Sequence, residues 1–454
     1  MRKVLPVGVI LLSGCAIYAP SVPEAELGLP DAWPVAEAAG EAAVVDVPWR
    51  DFFADENLKS LIAAALDANR DLRVAILDVE RARSLYRIQR ADRVPSLGVT
   101  AAMTRVGSDN QPVDEAYTVD LGAAFELDLF GRVRNLSRAA LEQYLATEEA
   151  QRAFELALIS DVAGAYLTLA ADRELLRIAN AALATHEETL GLTNRRYELG
   201  AVSALDLARA RTIVETARAD AARYAGQVAQ DENALRLLVG APVDDTLLPD
   251  AFDPQVSGLA PLPAGVPSDV LLRRPDVRAA ERRLRAASAN VGAARAAFFP
   301  SISLTGSVGT ASPDLGGLFE SGSFGWRFVP SIDLPIFQAG RLRGNLGVAN
   351  ADRDIALARY ERAIQAAFRD TADALVLTRT LTEQHAAQRA LLDAANRVYE
   401  LSKARYDAGQ DSYLSLLDAQ RTLYSAQQGL VGVQLAEQFN RVSLYRALAG
   451  GWSN

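Results

Sequence analysis

Residues 113–241 and 336–454 contain none of the chain's nineteen prolines, which leaves two unbroken stretches of 129 and 119 residues. Both are rich in Ala, Leu, Arg and Glu, the residues that lose least on entering a helix. In the first stretch Phe154, Leu158, Val162, Ala165, Leu169 and Leu176 recur at spacings of three, four or seven, which draws one face of a helix. A helix from about Arg132 to Leu199 would be ~100 Å long at 1.5 Å per residue, far beyond what a globular domain holds.

Each stretch is interrupted once, at the same place. Gly200 suits the left-handed position that ends a helix, Ser203 suits the cap of the next, and Asp206 three residues later completes a capping-box-like start. Gly409 and Ser412 repeat the arrangement. Both stretches are therefore expected to fold back as long antiparallel helical hairpins with a Gly-x-x-Ser tip.

The recurrence extends further. Asp71, Arg73, Pro95, Ser96 and Leu97 match Asp276, Arg278, Pro300, Ser301 and Ile302 at an offset of 205, whereas Tyr197, Gly200, Ser203 and Leu207 match Tyr406, Gly409, Ser412 and Leu416 at 209. The difference of four reads as one insertion, because Asp128 to Gly131 is three residues and Asp333 to Gly340 is seven. A unit of roughly 170 residues is too long for a solenoid repeat and fits a duplication. The expected divisions are 1–14 signal peptide, 15–55 N-terminal segment, 56–240 first repeat, 241–266 linker, 267–450 second repeat and 451–454 tail.

Each unit also holds a pair of alternating strands. From Tyr117 to Leu129 the odd positions are Tyr117, Val119, Leu121, Ala123, Phe125, Leu127 and Leu129, and the even ones include Asp120, Glu126 and Asp128. Trp326, Phe328, Pro330, Ile332 and Leu334 continue the apolar face, and Leu97, Val99, Ala101 and Met103 match Ile302, Leu304, Gly306 and Val308. The loops are expected around Gly107 to Glu115 and Thr310 to Ser323. A soluble sheet packed on a core would use such strands, and so would a membrane barrel, whose strands need about 9–11 residues. Four strands cannot close a barrel alone, so copies must assemble: two would give eight strands filled by side chains, three would give twelve and leave a lumen. No other apolar run approaches the ~18 residues of a membrane helix, so any crossing must use strands.

Arg2 and Lys3 precede the apolar run Val4–Leu12, which leads into Ser13, Gly14 and Cys15. A run of nine residues is too short to span a bilayer, and the only cysteine of the chain comes just after it, an arrangement that resembles a bacterial lipobox with its acylated thiol. Ala16, not Asp, follows it, which implies an outer-membrane destination. A net charge of −10 argues against nucleic acid. With one Cys, and with His186 and His385 isolated in helical context, no metal or catalytic site is expected.

Two segments carry a more specific likeness. One runs from Pro267 through Leu271, Arg273, Arg274, Pro275, Asp276, Arg278 and Glu281 to Gly292, Arg295, Phe299, Pro300 and Ser301; the other joins Arg405, Tyr406, Gly409, Ser412, Tyr413, Leu417, Asp418 and Arg421. With the duplication and the lipobox, the chain resembles the outer-membrane factor (TolC-like) family and within it the lipoprotein efflux channels, from about Trp49 to Trp452. That resemblance implies a mixed, mainly α fold: a homotrimeric twelve-strand transmembrane β-barrel, four strands per chain, continuous with a long periplasmic α-helical barrel. A belt would draw on segments near 22–55, 240–266 and the C-terminus. The implied function is a passive conduit, not an enzyme, in a tripartite efflux system exporting small toxic compounds. Its partners would be a periplasmic adaptor (membrane fusion) protein, an inner-membrane efflux pump and outer-membrane lipid, with no cofactor beyond the lipid on Cys15.

By the same resemblance Asp418 lines the narrow periplasmic end, where three carboxylates around one axis would repel and favour cations. A helix-surface aspartate served by the macrodipole, with Arg421 at i+3, is the plainer alternative. Tyr406 and Asp206 match positions that hold the tips closed, although Asp206 is equally suited to capping. Asp411 stands where some members have an arginine in this contact. The tips Gly200, Ala201, Val202, Ser203 and Gly409, Gln410, Asp411, Ser412 would face the adaptor. Trp326 suits either an aromatic girdle or core packing. A periplasmic adaptor would show one hairpin instead of two, a lipoprotein hydrolase would need a recognisable Ser/His or metal motif, and a protein-secretion conduit would share the channel fold.

Overall fold

The same succession of elements occurs twice along the chain. In the computed structural model, which describes residues 21–25, 47–109, 111–250, 252 and 268–448, the first succession is α1 (Trp49–Phe52), α2 (Glu56–Ala68), α3 (Arg70–Ala91), β1 (Ser96–Ser108), β2 (Gln111–Leu127), α4 (Arg132–Glu198) and α5 (Ala204–Val239). The second is α6 (Pro275–Ala296), β3 (Ser301–Ser312), β4 (Phe324–Asp333), α7 (Arg341–Asp407) and α8 (Tyr413–Ala447). α4 and α7 are 67 residues each, ~100 Å at 1.5 Å per residue. Cys15, most of the 241–266 linker and the 451–454 tail lie outside the described residues.

One compact unit, containing residues 76–150 and 278–363, holds all the strands. They form one antiparallel sheet in the order β1-β2-β3-β4. The register places Val99 opposite Leu121, Leu121 opposite Val308, and Val308 opposite Trp326, so the apolar positions of all four strands share a face. That face is bare: Leu97 is 74%, Val99 71%, Trp326 74% and Ile332 71% exposed. Trp326 therefore belongs to an outward apolar surface and not to a core. On the other face Thr100 opposes Asp120 and Ser303 opposes Glu126. β1 and β4 each lack a second neighbour among the described residues.

Pairing corrects two expectations. Ser96 opposes Ala124, but its repeat Ser301 opposes Asp333, so β2 and β4 correspond at an offset of 209. The four extra residues thus sit in the β3–β4 connection, which contains the 3₁₀ turn Gly316–Phe319, and not between β4 and α7. Offsets of 205 and 209 are both odd, so each keeps the same side chains on the same face and alternation cannot choose between them. The first loop is also shorter than expected, because β1 and β2 continue past the apolar band with the ion pair Arg105–Glu115 at 3.2 Å.

The other unit contains residues 28–75, 151–277 and 364–454. Its core gathers Phe52, Phe53, Leu58 and Ile62 against Val162, Tyr166 and Leu169 of α4, Leu235 and Val239 of α5, and Tyr445 of α8. The buried phenols are satisfied: Tyr166 donates to Asp55 Oδ2 at 2.9 Å and Tyr445 to the Val47 carbonyl at 3.0 Å. Asp55 also caps α2 by accepting from the Asn57 and Leu58 amides. The described parts of the expected belt, Val47, Trp49, Val243, Leu247 and Phe252, pack on this core. α4 does contain a window apolar enough to cross a membrane by length and composition, contrary to the sequence expectation. Its apolarity has another use, since Leu156 to Leu169 are the α4 share of this core.

Candidate functional site

At the α4–α5 turn Gly200 has φ +72°, its N–H donates to the Tyr197 carbonyl at 2.9 Å, and the Ala201 N–H reaches the Arg196 carbonyl at 2.8 Å. Those paired bonds terminate a helix with a left-handed glycine. The α7–α8 turn repeats them, with Gly409 to Tyr406 at 3.0 Å and Gln410 to Arg405 at 2.9 Å. Both tips therefore form as the spacing predicts.

The two helix starts then diverge. Ser203 Oγ accepts from the Asp206 amide at 3.1 Å while Asp206 Oδ2 accepts from the Ser203 hydroxyl at 2.7 Å and amide at 3.4 Å, a full capping box. Ser412 has the extended backbone of a cap but makes no side-chain capping bond, which corrects the expected symmetry. Its partner position is Ser415, which offers no carboxylate to reach back.

Asp206 and Tyr406 are not brought together within the chain. The carboxylate is committed to the cap, with Arg209 at 3.7 Å, whereas the Tyr406 hydroxyl accepts from Arg196 Nη1 at 3.1 Å. The Arg196 guanidinium lies 5.2 Å from the Tyr406 ring centroid, and that ring is 5.8 Å from Tyr413. Burial, then the neighbouring Tyr406, pushes the Tyr413 phenol up to about 12. Arg196 was not singled out from sequence. Its repeat partner Arg405 donates instead to Asp411 at 2.7 Å within its own turn. The position matching Asp411 is Val202, so Arg196 has no local carboxylate and reaches across; that replacement is the signal sequence reasoning passed over.

Asp418 is exposed at the sixth position of α8, past the first turn where the macrodipole acts. Among the described residues it forms no ion pair, and Arg421 does not close on it. The carboxylate borders a cleft of about 800 Å³ shared with His186, Thr212, Asp220 and Tyr424. Burial holds the His186 imidazole below its ordinary pKa, and its Nδ1 has no hydrogen-bond partner among the described residues. His385 Nδ1 lies 3.0 Å from Glu437 Oε2.

The sequence profile of the Outer membrane efflux protein family matches this chain twice, over residues 61–241 and 266–450. The solvent efflux pump outer membrane protein SrpC of Pseudomonas putida is 46% identical over 465 residues, covering 99% of this chain and 98% of its own length. The antibiotic efflux pump outer membrane protein ArpC of Pseudomonas putida is 45% identical over 464 residues, 99% of this chain and 95% of its own. The crystal structure of the open state of the Neisseria gonorrhoeae MtrE outer membrane channel superposes with a TM-score of 0.88 at 40% identity, covering 95% of this chain and 98% of that one. Twofold matching, near-complete coverage and the shared fold agree that this chain belongs to the outer membrane efflux protein family and is an outer-membrane channel component of an efflux system.

Proposed function

We propose that three copies of the chain close a twelve-stranded barrel in the outer membrane, with their long helices continuing it as a passive tube into the periplasm. The observation that carries this reading is the sheet: one face apolar across four strands, and the outer edges of β1 and β4 unpaired among the described residues. In hydrocarbon each unpaired backbone group costs several kcal/mol, so the edges must meet those of other copies. Eight strands would be filled by their own side chains, whereas twelve leave a lumen lined by Thr100, Asp120 and Ser303.

The cargo is small toxic compounds, of the kind named for the solvent and antibiotic relatives. An inner-membrane pump supplies energy and selection, and a periplasmic adaptor meets the Gly200–Ser203 and Gly409–Ser412 tips. Three Asp418 carboxylates around the axis form a cation-favouring constriction, consistent with the lack of an ion pair on this side chain. Cys15 carries the lipid.

The decisive experiment expresses the chain in a Gram-negative strain stripped of its own efflux channels, with and without its adaptor and pump. Solvent and antibiotic tolerance should return only when all three are present. Tolerance restored by the channel alone, or by none of the combinations, would refute the conduit. Labelled acyl chain should be lost from Cys15→Ser, and its continued incorporation would refute the lipid site.

A further inference from the structure

The end of the sheet where strands pass into helices carries arginines without acidic partners. Ser96 opposes Ala124, Leu127 opposes Ile302 and Ser301 opposes Asp333, so all four strands share this end. Residues 92–95, 128–131 and 297–300 connect it to α3, α4 and α6, and 334–340 connect it to α7. A four-residue connector reaches at most ~14 Å. On or beside these helix ends Arg87, Arg90, Arg93, Arg134, Arg138 and Arg343 are exposed, and none forms an ion pair among the described residues.

Three of the nearby carboxylates are already engaged, while Asp333 at the end of β4 is exposed and forms no ion pair among the described residues. Glu126 binds Arg132 at 3.0 Å, Asp128 accepts the Val133 and Arg134 amides at 3.2 and 2.7 Å, and Asp92 accepts from Gln89 at 2.7 Å. Between the arginines and the strands runs an apolar rim. Phe130 and Phe299 stack with centroids 4.9 Å apart, and Ile336 and Phe337 are 91% and 86% exposed.

Aromatic rings beside free guanidinium groups match the chemistry of a bilayer interface: the rings sit at headgroup level and Arg binds phosphate through paired N–H groups. The headgroup layer is roughly 5–7 Å thick on each side, about one helical turn. Arg90, Arg93, Arg134 and Arg343 lie in the connectors or within three residues of them, and Arg87 and Arg138 lie one to two turns into their helices, with stems long enough to lean toward the strands.

We propose that this collar docks anionic phospholipid, a diacyl lipid with a phosphodiester headgroup, in the periplasmic leaflet of the outer membrane. The proposal rests on the sheet's apolar face lying in the bilayer.

Native mass spectrometry of the full chain in detergent, titrated with dioleoyl phosphatidylglycerol or dioleoyl phosphatidylethanolamine, tests it. Each arginine near an anionic surface contributes about a fivefold preference, so phosphatidylglycerol should be retained at least about fivefold over phosphatidylethanolamine. The variant R87Q/R90Q/R134Q/R343Q should lose that preference, the same four positions changed to Lys should keep most of it, and excess inorganic phosphate should not displace the lipid. Equal retention of the two lipids, or a preference unchanged in the Gln variant, overturns the proposal. So does a Gln variant that alters conductance alone, because its arginines would then face the lumen. Flotation on pure phosphatidylethanolamine vesicles separates the two failures: protein that floats without a lipid preference sinks the collar only, and protein that does not float sinks the membrane reading.

Discussion

Arg196 Nη1 donates to the Tyr406 hydroxyl at 3.1 Å, tying the end of α4 to the end of α7 across 210 positions of sequence. The bond exists because Val202 replaces the carboxylate that occupies Arg405 in the matching turn. A net hydrogen bond of about 0.5–1.5 kcal/mol corresponds to roughly a two- to tenfold change in a closed-to-open ratio. Tyr406→Phe should raise open probability in planar bilayers by that factor. Val202→Asp should act in the same direction by giving Arg196 a local partner. If both variants leave the traces unchanged, the contact does not restrain the tips.

The unequal caps give a paired prediction. Ser203→Ala removes a side-chain cap and should destabilise the start of α5 by about 1 kcal/mol, whereas Ser412→Ala removes none. Hydrogen exchange of the amides at 204–207 should accelerate about fivefold in the first variant, and exchange at 413–416 should barely move in the second. Equal acceleration at the two sites would contradict the asymmetry.

Asp231 on α5 is pushed up to about 6, first by burial and then by the Asp172 carboxyl on α4. Its folded pKa lies above the unfolded value, so the folded state binds the extra proton between roughly pH 4 and 6. The cost of the charged pair is present above pH 6 and is relieved as pH falls through it. Asp231→Asn should therefore stabilise the protein at pH 7.5, by under about 1 kcal/mol given solvent screening, and should flatten the pH dependence of Tm between roughly 4 and 6. A destabilised variant at pH 7.5 would contradict this.

Gly309 and Gly325 oppose each other in the sheet but differ in room. A Cβ on Gly309 would overlap the Val119 carbonyl oxygen, whereas one on Gly325 meets nothing within 4 Å. Gly309→Ala should reduce the yield of assembled protein on semi-native gels, and Gly325→Ala should leave it unchanged. The reverse order would mean that the β2–β3 register is misassigned.

Helix and strand identities were legible because both signals are local. The absence of proline and the Gly-x-x-Ser turns mark α4, α5, α7 and α8, and the period of two marks the strands. Register was not legible, since displacing β4 by four residues leaves Trp326, Phe328 and Ile332 on the same face. The tips were readable as turns, but the Arg196–Tyr406 contact joins two helix ends whose proximity no local pattern records. Asp418 stood out only through resemblance; its bare exposure became visible with the fold.

The central claim is that copies of this chain assemble into an outer-membrane conduit, and the most direct test is the mass of the detergent-extracted particle with bilayer conductance recorded on the same sample. The account predicts roughly three times 48.7 kDa of protein and discrete conductance steps. A monomer without conductance, its bare strand face and free edges intact, would contradict it.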